Sequence, residues 1–87
     1  MKEIEILREE IDKIDTQIVQ LLSQRFELSS QIGAIKKRNN IPVVDSNRWS
    51  LIKERLKKEA KKHNLNENLV DDLYELIHKH SVFGQKG

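Results

Sequence analysis

The apolar residues of the first part of the chain fall at Ile4, Leu7, Ile11, Ile14, Ile18 and Leu21, and again at Leu28, Ile32 and Ile35. Steps of three and four alternate along this run, the repeat of a single stripe on a long helix. The spacing predicts a helix over about residues 3 to 38. Asn39, Asn40 and the Ile41-Pro42 step end it, because the residue before a proline is pushed out of the α region. A loop is expected over residues 39 to 44. Asp45 and Ser46 are both good N-caps for a second helix, whose stripe is Trp49, Ile52, Leu56 and Ala60. A third helix opens after Asn66 and carries Leu69, Val70, Leu73, Tyr74 and Ile77 toward Ser81 and Gln85. No run alternates apolar and polar residues as a half-buried strand does, so the fold class is all-α, three helices with a long first one.

Length changes the picture first. The 87 residues read as one domain over residues 1–87, and a lone chain of this size buries only about 60% of the surface its unfolded form exposes. Oligomerisation is a natural remedy for so thin a core. The chain has no cysteine, which removes a disulfide framework and a thiolate metal site, and MKEIEILREEIDKID is charged throughout, unlike a signal peptide or a membrane span. A cytoplasmic location and no membrane partner are expected.

Charge narrows the partners further. Charged residues make up 34% of the chain, but the net charge is only +2 and the signs alternate, so bulk charge implies no polyanionic partner. The basic run Lys57, Lys58, Lys61 and Lys62 reads as a solvated helix C-terminus complementing the macrodipole. No aromatic residues interleave it to stack bases, so no nucleic acid is expected. His78 and His80, two apart on a helix, diverge and do not make a metal pair. No metal and no cofactor are expected.

The stripe of the first helix is broken by a charge: the position four after Leu21 is Arg25, and apolar spacing resumes at Leu28. Burying an unpaired guanidinium costs several kcal/mol, so Arg25 is expected to meet a carboxylate of the protein or of a ligand, or to set register in a coiled coil. Lys36 lies eleven residues on, about three turns and roughly 16 Å along the axis on nearly the same face. Arg8 precedes Arg25 by seventeen residues, about 25 Å, too far to share one small anion on a continuous helix. Arg8 can join such a site only from another subunit. An antiparallel pairing of two copies does that, with two symmetric sites, and also covers a seam that three helices of one chain cover poorly. Ser81 and Gln85 extend the face of Tyr74 and Ile77, so a buried stripe turns polar near the end of the third helix; frayed polarity explains this as well. Gly84 beside Gln85 favours fraying, with Gln85 ordered by ligand.

The segments LREEIDKIDTQIVQLLSQRFELSSQIGAIKK, PVVDSNR and ELIHKHSVFGQ resemble the all-helical, type II chorismate mutases, and the likeness extends over nearly the whole chain. Single elements such as IDxID are weak, but Arg8, Arg25, Lys36, Asp45, Arg48, Ser81 and Gln85 occur in the order and spacing of that family. The resemblance implies an intertwined homodimer and a cofactor-free Claisen rearrangement of chorismate to prephenate in aromatic amino-acid biosynthesis. It implies that Arg8, borrowed from the partner, and Arg25 hold the two carboxylates, and that Lys36 reaches a carboxylate and the ether oxygen. Gln85 gives that oxygen a second hydrogen bond, Ser81 supports the ring carboxylate, and Asp45 and Arg48 shape the pocket and help place the hydroxyl.

One position departs from the pattern. Where the family usually has a glutamate that accepts from the ring hydroxyl, this chain has Trp49, which can donate but not accept. Trp49 either packs with Ile52 and Leu56 or alters substrate choice. The alternatives to chorismate mutase are therefore an isochorismate-pyruvate lyase or a 4-amino-4-deoxychorismate mutase on the same fold. From another class comes a non-enzymatic helical dimer module in which Arg25 only sets register.

Overall fold

A computed structural model describes residues 1–42 and 46–86, with side chains as far as Ser81. The chain forms three helices, α1 (Lys2–Arg38), α2 (Ser46–Lys62) and α3 (Glu67–Lys86). α1 runs 37 residues without a break, about 55 Å at the rise of an α-helix. It therefore sets the long dimension of a molecule measuring 57 × 24 × 15 Å.

Asparagines place the helix ends. Asn40 and Asn64 take positive φ, 55° and 57°, a conformation asparagine tolerates better than most residues. At the end of α1 the Ile41 amide donates to the Lys36 carbonyl (2.8 Å) and the Asn40 amide to Lys37 (3.4 Å). α2 closes identically, Leu65 onto Ala60 (2.9 Å) and Asn64 onto Lys61 (3.3 Å). Both ends are Schellman motifs, which satisfy carbonyls that a helix terminus leaves without donors. α3 opens on Asn66, whose Oδ1 accepts the Asn68 amide at 2.8 Å, the expected N-cap.

α3 packs on α1 and α2 packs on α3, while α1 and α2 do not come together among the described residues. The face that α1 gives to its own chain is not the apolar seam. Its two buried residues are Ser29 and Gly33, flanked by half-buried Leu22 and Phe26. A glycine inside a helix costs about 1 kcal/mol relative to alanine; here its missing Cβ lets a neighbouring helix come close. On α3 the buried residues are Ile77 and Ser81.

The α2 stripe packs as its spacing predicts, with Ala60 buried and Trp49, Ile52 and Leu56 half-buried. Beside it runs a ladder of ion pairs: Lys53 to Glu75 (2.8 Å), Lys57 to Asp71 (3.3 Å) and Lys61 to Glu67 (3.2 Å). Each step is one turn forward on α2 and one turn back on α3, so the two helices are antiparallel. The basic run is thus partly spent on α3 carboxylates. The hydrogen bond that the Lys53 ammonium donates to Glu75 holds it above its ordinary pKa, against an opposing desolvation and with lesser help from the charges of Glu75 and Asp71.

The long stripe of α1 is left uncovered. Ile4, Leu7, Ile11, Ile14, Ile18, Leu21, Leu28, Ile32 and Ile35 are all 44–63% exposed. The chain has a surface of 7451 Å², about 2,000 Å² more than a compact protein of its mass. Its radius of gyration, 16.4 Å, exceeds the about 12 Å of a compact chain of this length. No helix among the described residues is long and apolar enough to cross a membrane.

Candidate functional site

Arg25 projects from α1 toward α3. It is half-buried, its Nη1 donates to Ser81 Oγ at 3.1 Å, and its Cζ lies 5.7 Å from the centroid of the Tyr74 ring. Tyr74 and Ser81 are two turns apart on one face of α3, so a hydroxyl and a π-face hold the guanidinium together. Neither neutralises it, and among the described residues no carboxylate pairs with Arg25. A cation held in a fixed orientation by neutral groups keeps its charge for an anion from outside, and its planar fork suits a carboxylate.

The remaining predicted residues distribute unevenly. Lys36 is half-buried on α1, about 16 Å along the axis from Arg25. Arg48 is exposed in the first turn of α2. Arg8 is exposed on the uncovered end of α1. Because α1 is unbroken between them, Arg8 and Arg25 of one chain stand about 25 Å apart along the axis. Asp45 and the side chain of Gln85 lie outside the described residues, although the α3 backbone continues as helix through Gly84 to Lys86.

Trp49 is half-buried and stacks on His78, ring centroids 4.2 Å apart and planes 18° from parallel. Lys53 Nζ lies 5.8 Å from the same indole. The packing role open to Trp49 is therefore realised, against α3 rather than within α2 alone. Spacing puts Tyr74 only on the apolar stripe of the third helix and rules His78 out as a metal ligand. Their signal is the i, i+4, i+7 relation of Tyr74, His78 and Ser81, which puts two rings on the face that ends in the Ser81 hydroxyl. Two shallow grooves lie elsewhere, one lined by Gln31, Ala34, Ile35, Lys37 and Arg38, the other by Glu54, Lys57, Lys58, Lys61 and Glu67. Neither contains Arg25 or Ser81.

The chain matches the family model for chorismate mutase type II over residues 7–86. It is 43% identical over 79 residues to a bifunctional chorismate mutase/prephenate dehydratase of Buchnera aphidicola subsp. Schizaphis graminum, covering 91% of this chain and 20% of that protein. It is 32% identical over 80 residues to a chorismate mutase of Methanocaldococcus jannaschii, covering 92% of this chain and 81% of that protein. A 4-amino-4-deoxychorismate mutase of Streptomyces venezuelae is 32% identical over 75 residues, 86% of this chain and 73% of that protein. The chain thus spans about a fifth of the bifunctional relative and most of the other two. A three-helix chain with an arginine oriented against a serine of its third helix, matched over residues 7–86, belongs to the chorismate mutase type II family.

Proposed function

We propose that residues 1–87 act as one cytoplasmic chorismate mutase domain, converting chorismate to prephenate as a homodimer in which each subunit lends Arg8 to its partner's site. The observation that carries this reading is the Arg25–Ser81 contact at 3.1 Å. It prepares a carboxylate-binding cation on α1, while Arg8 on the same rigid helix is out of reach. The uncovered seam supports the dimer, because an excess surface of about 2,000 Å² per chain suits an obligate interface.

The rearrangement breaks a carbon–oxygen bond and forms a carbon–carbon bond in one pericyclic step, so no nucleophile or general base takes part. What the side chains add is a compact near-attack conformer and donors where charge grows on the ether oxygen. Arg8 of the partner and Arg25 clamp the carboxylates. Lys36 and Gln85 donate to the ether oxygen, Ser81 supports the ring carboxylate, and Asp45, Arg48 and Trp49 line the hydroxyl end.

Complementation tests both parts at once. Arg8→Ala and Arg25→Ala homodimers should each be inactive, because every site lacks one clamp. Mixed under conditions that exchange subunits, they should recover about a quarter of wild-type sites, since each heterodimer has one intact site. No recovery after verified exchange would overturn the shared site. A second reading, turnover of 4-amino-4-deoxychorismate, is favoured by Trp49 and by the Streptomyces relative. Product identification with both substrates decides between them.

A further inference from the structure

The Trp49–His78 stack lies where two groups of site residues meet. On α3, His78 stands four residues after Tyr74 and three before Ser81, and both of those residues contact Arg25. Neighbours at such spacings share a helix face with Cβ atoms about 5–6 Å apart. From the other side, the indole that covers His78 belongs to the residue after Arg48. His78 is therefore flanked by the α1 cation through Tyr74 and Ser81, and by the first turn of α2 through Trp49.

Stacking leaves a definite chemical remainder. The indole face occupies the face of the imidazole and leaves the ring edge, which carries its two nitrogens, uncovered by the stack. The ring is only half-buried, so its edge can meet a ligand. A neutral imidazole carries one donor and one acceptor, whereas an indole carries a donor alone. The aromatic pair thus presents both functions, and only His78 supplies the acceptor. Arg25, Lys36 and Arg48 are all donors and the Ser81 oxygen already accepts from Arg25, so His78 offers a ring hydroxyl a nitrogen acceptor beside them.

We infer that His78, held edge-on by its stack with Trp49, is a specificity-determining residue that accepts a hydrogen bond from the ring hydroxyl of the dicarboxylate substrate. The inference rests on the proposed reading of the site, and it deepens that reading by assigning the hydroxyl end. The stack fixes the plane of the imidazole, so the acceptor is positioned before substrate arrives. Loss of one positioned neutral hydrogen bond lowers affinity or rate by about tenfold.

The test uses the wild-type dimer and two variants, His78→Phe, which keeps a stacking ring without nitrogens, and His78→Gln, which keeps a polar acceptor without the ring. Chorismate turnover is measured first, together with Kd for an oxabicyclic dicarboxylate mimic of the transition state, prepared with and without its ring hydroxyl. His78→Phe should lower kcat/KM about tenfold and weaken the hydroxylated mimic by a similar factor. It should leave the mimic without hydroxyl unchanged, and His78→Gln should recover part of the loss. Equal weakening of both mimics, or no change in either, would overturn the assignment, since a merely structural ring affects them alike. If wild type neither converts chorismate nor binds either mimic, the site reading itself fails; conversion with an unaffected His78→Phe sinks only the role of His78. Melting of each variant by circular dichroism verifies the fold, and if His78→Phe unfolds it is replaced by His78→Leu, which also lacks the acceptor, with the same pair of mimics deciding.

Discussion

The two halves of α1 follow one apolar spacing and have opposite fates. In the first half every residue from Met1 to Leu21 is exposed. In the second, Ser29 and Gly33 are buried and Leu22, Arg25, Phe26 and Lys36 are partly covered. Apolarity does not make the difference, since Ile4 to Leu21 are as hydrophobic as Leu28 to Ile35. α3 chose a flank with small residues, and the seam stayed bare along both halves. Packing within a chain goes where backbones can approach, and a long exposed apolar patch is the kind of surface that marks interaction sites.

The largest expected effect comes from breaking the uncovered half. Ile14→Asp places a charge in the middle of the seam, and the variant should sediment as monomer at micromolar concentration. Most of a helix's stability in a protein comes from tertiary packing, so amides of the first half should exchange quickly while those near Ser29 stay protected. Chorismate turnover should fall about 1,000-fold or more, because each site loses its borrowed clamp. A variant that remains dimeric and active would mean that the seam is not the interface.

Next come changes in the covered half. Lys36→Ala should reduce kcat about 100- to 1,000-fold, the typical cost of one oxyanion donor, with little change in thermal unfolding. Arg25→Leu should separate stability from function more sharply. Replacing a half-buried charge with an apolar side chain is often neutral or stabilising, so Tm should hold or rise while binding of a dicarboxylate analogue is lost. Retained binding would return Arg25 to a register-setting role.

The smallest effects belong to the α2–α3 ladder. A double-mutant cycle on Lys57→Ala and Asp71→Ala should give a coupling of about 0.2–1 kcal/mol, as exposed pairs do, and it should shrink as salt is raised. Lys53 adds a pH dependence of known sign. Its pKa is raised in the folded state, so its contribution is complete below the usual lysine value and is lost as pH rises through the folded one. Unfolding of α2 from α3 in alkaline titrations should therefore ease in wild type and be flatter in Lys53→Met.

Much of this molecule was legible in the residues. The seam spacing, the asparagines that end α1 and the Asn66 cap are local signals, each decided within a turn or two of chain. Arg25 announced itself as a charge in an apolar series, and Ser81 as a hydroxyl where a packed stripe ends. Their meeting was implied by the family resemblance alone, since fifty-six residues separate them and no helical spacing reaches that far. The Trp49–His78 stack was not legible, because each ring fits a packing stripe equally well in any rotation of α2 against α3.

The sequence by itself determined three helices, their ends, and the separation of Arg8 from Arg25, because rise per residue and capping chemistry are properties of local backbone. Tertiary structure alone decided which face of α1 its own chain covers and what holds Arg25. It also decided that the rings of Trp49 and His78 stack across α2 and α3. Those outcomes depend on how closely whole helices approach and at what rotation, which no spacing along a single helix encodes.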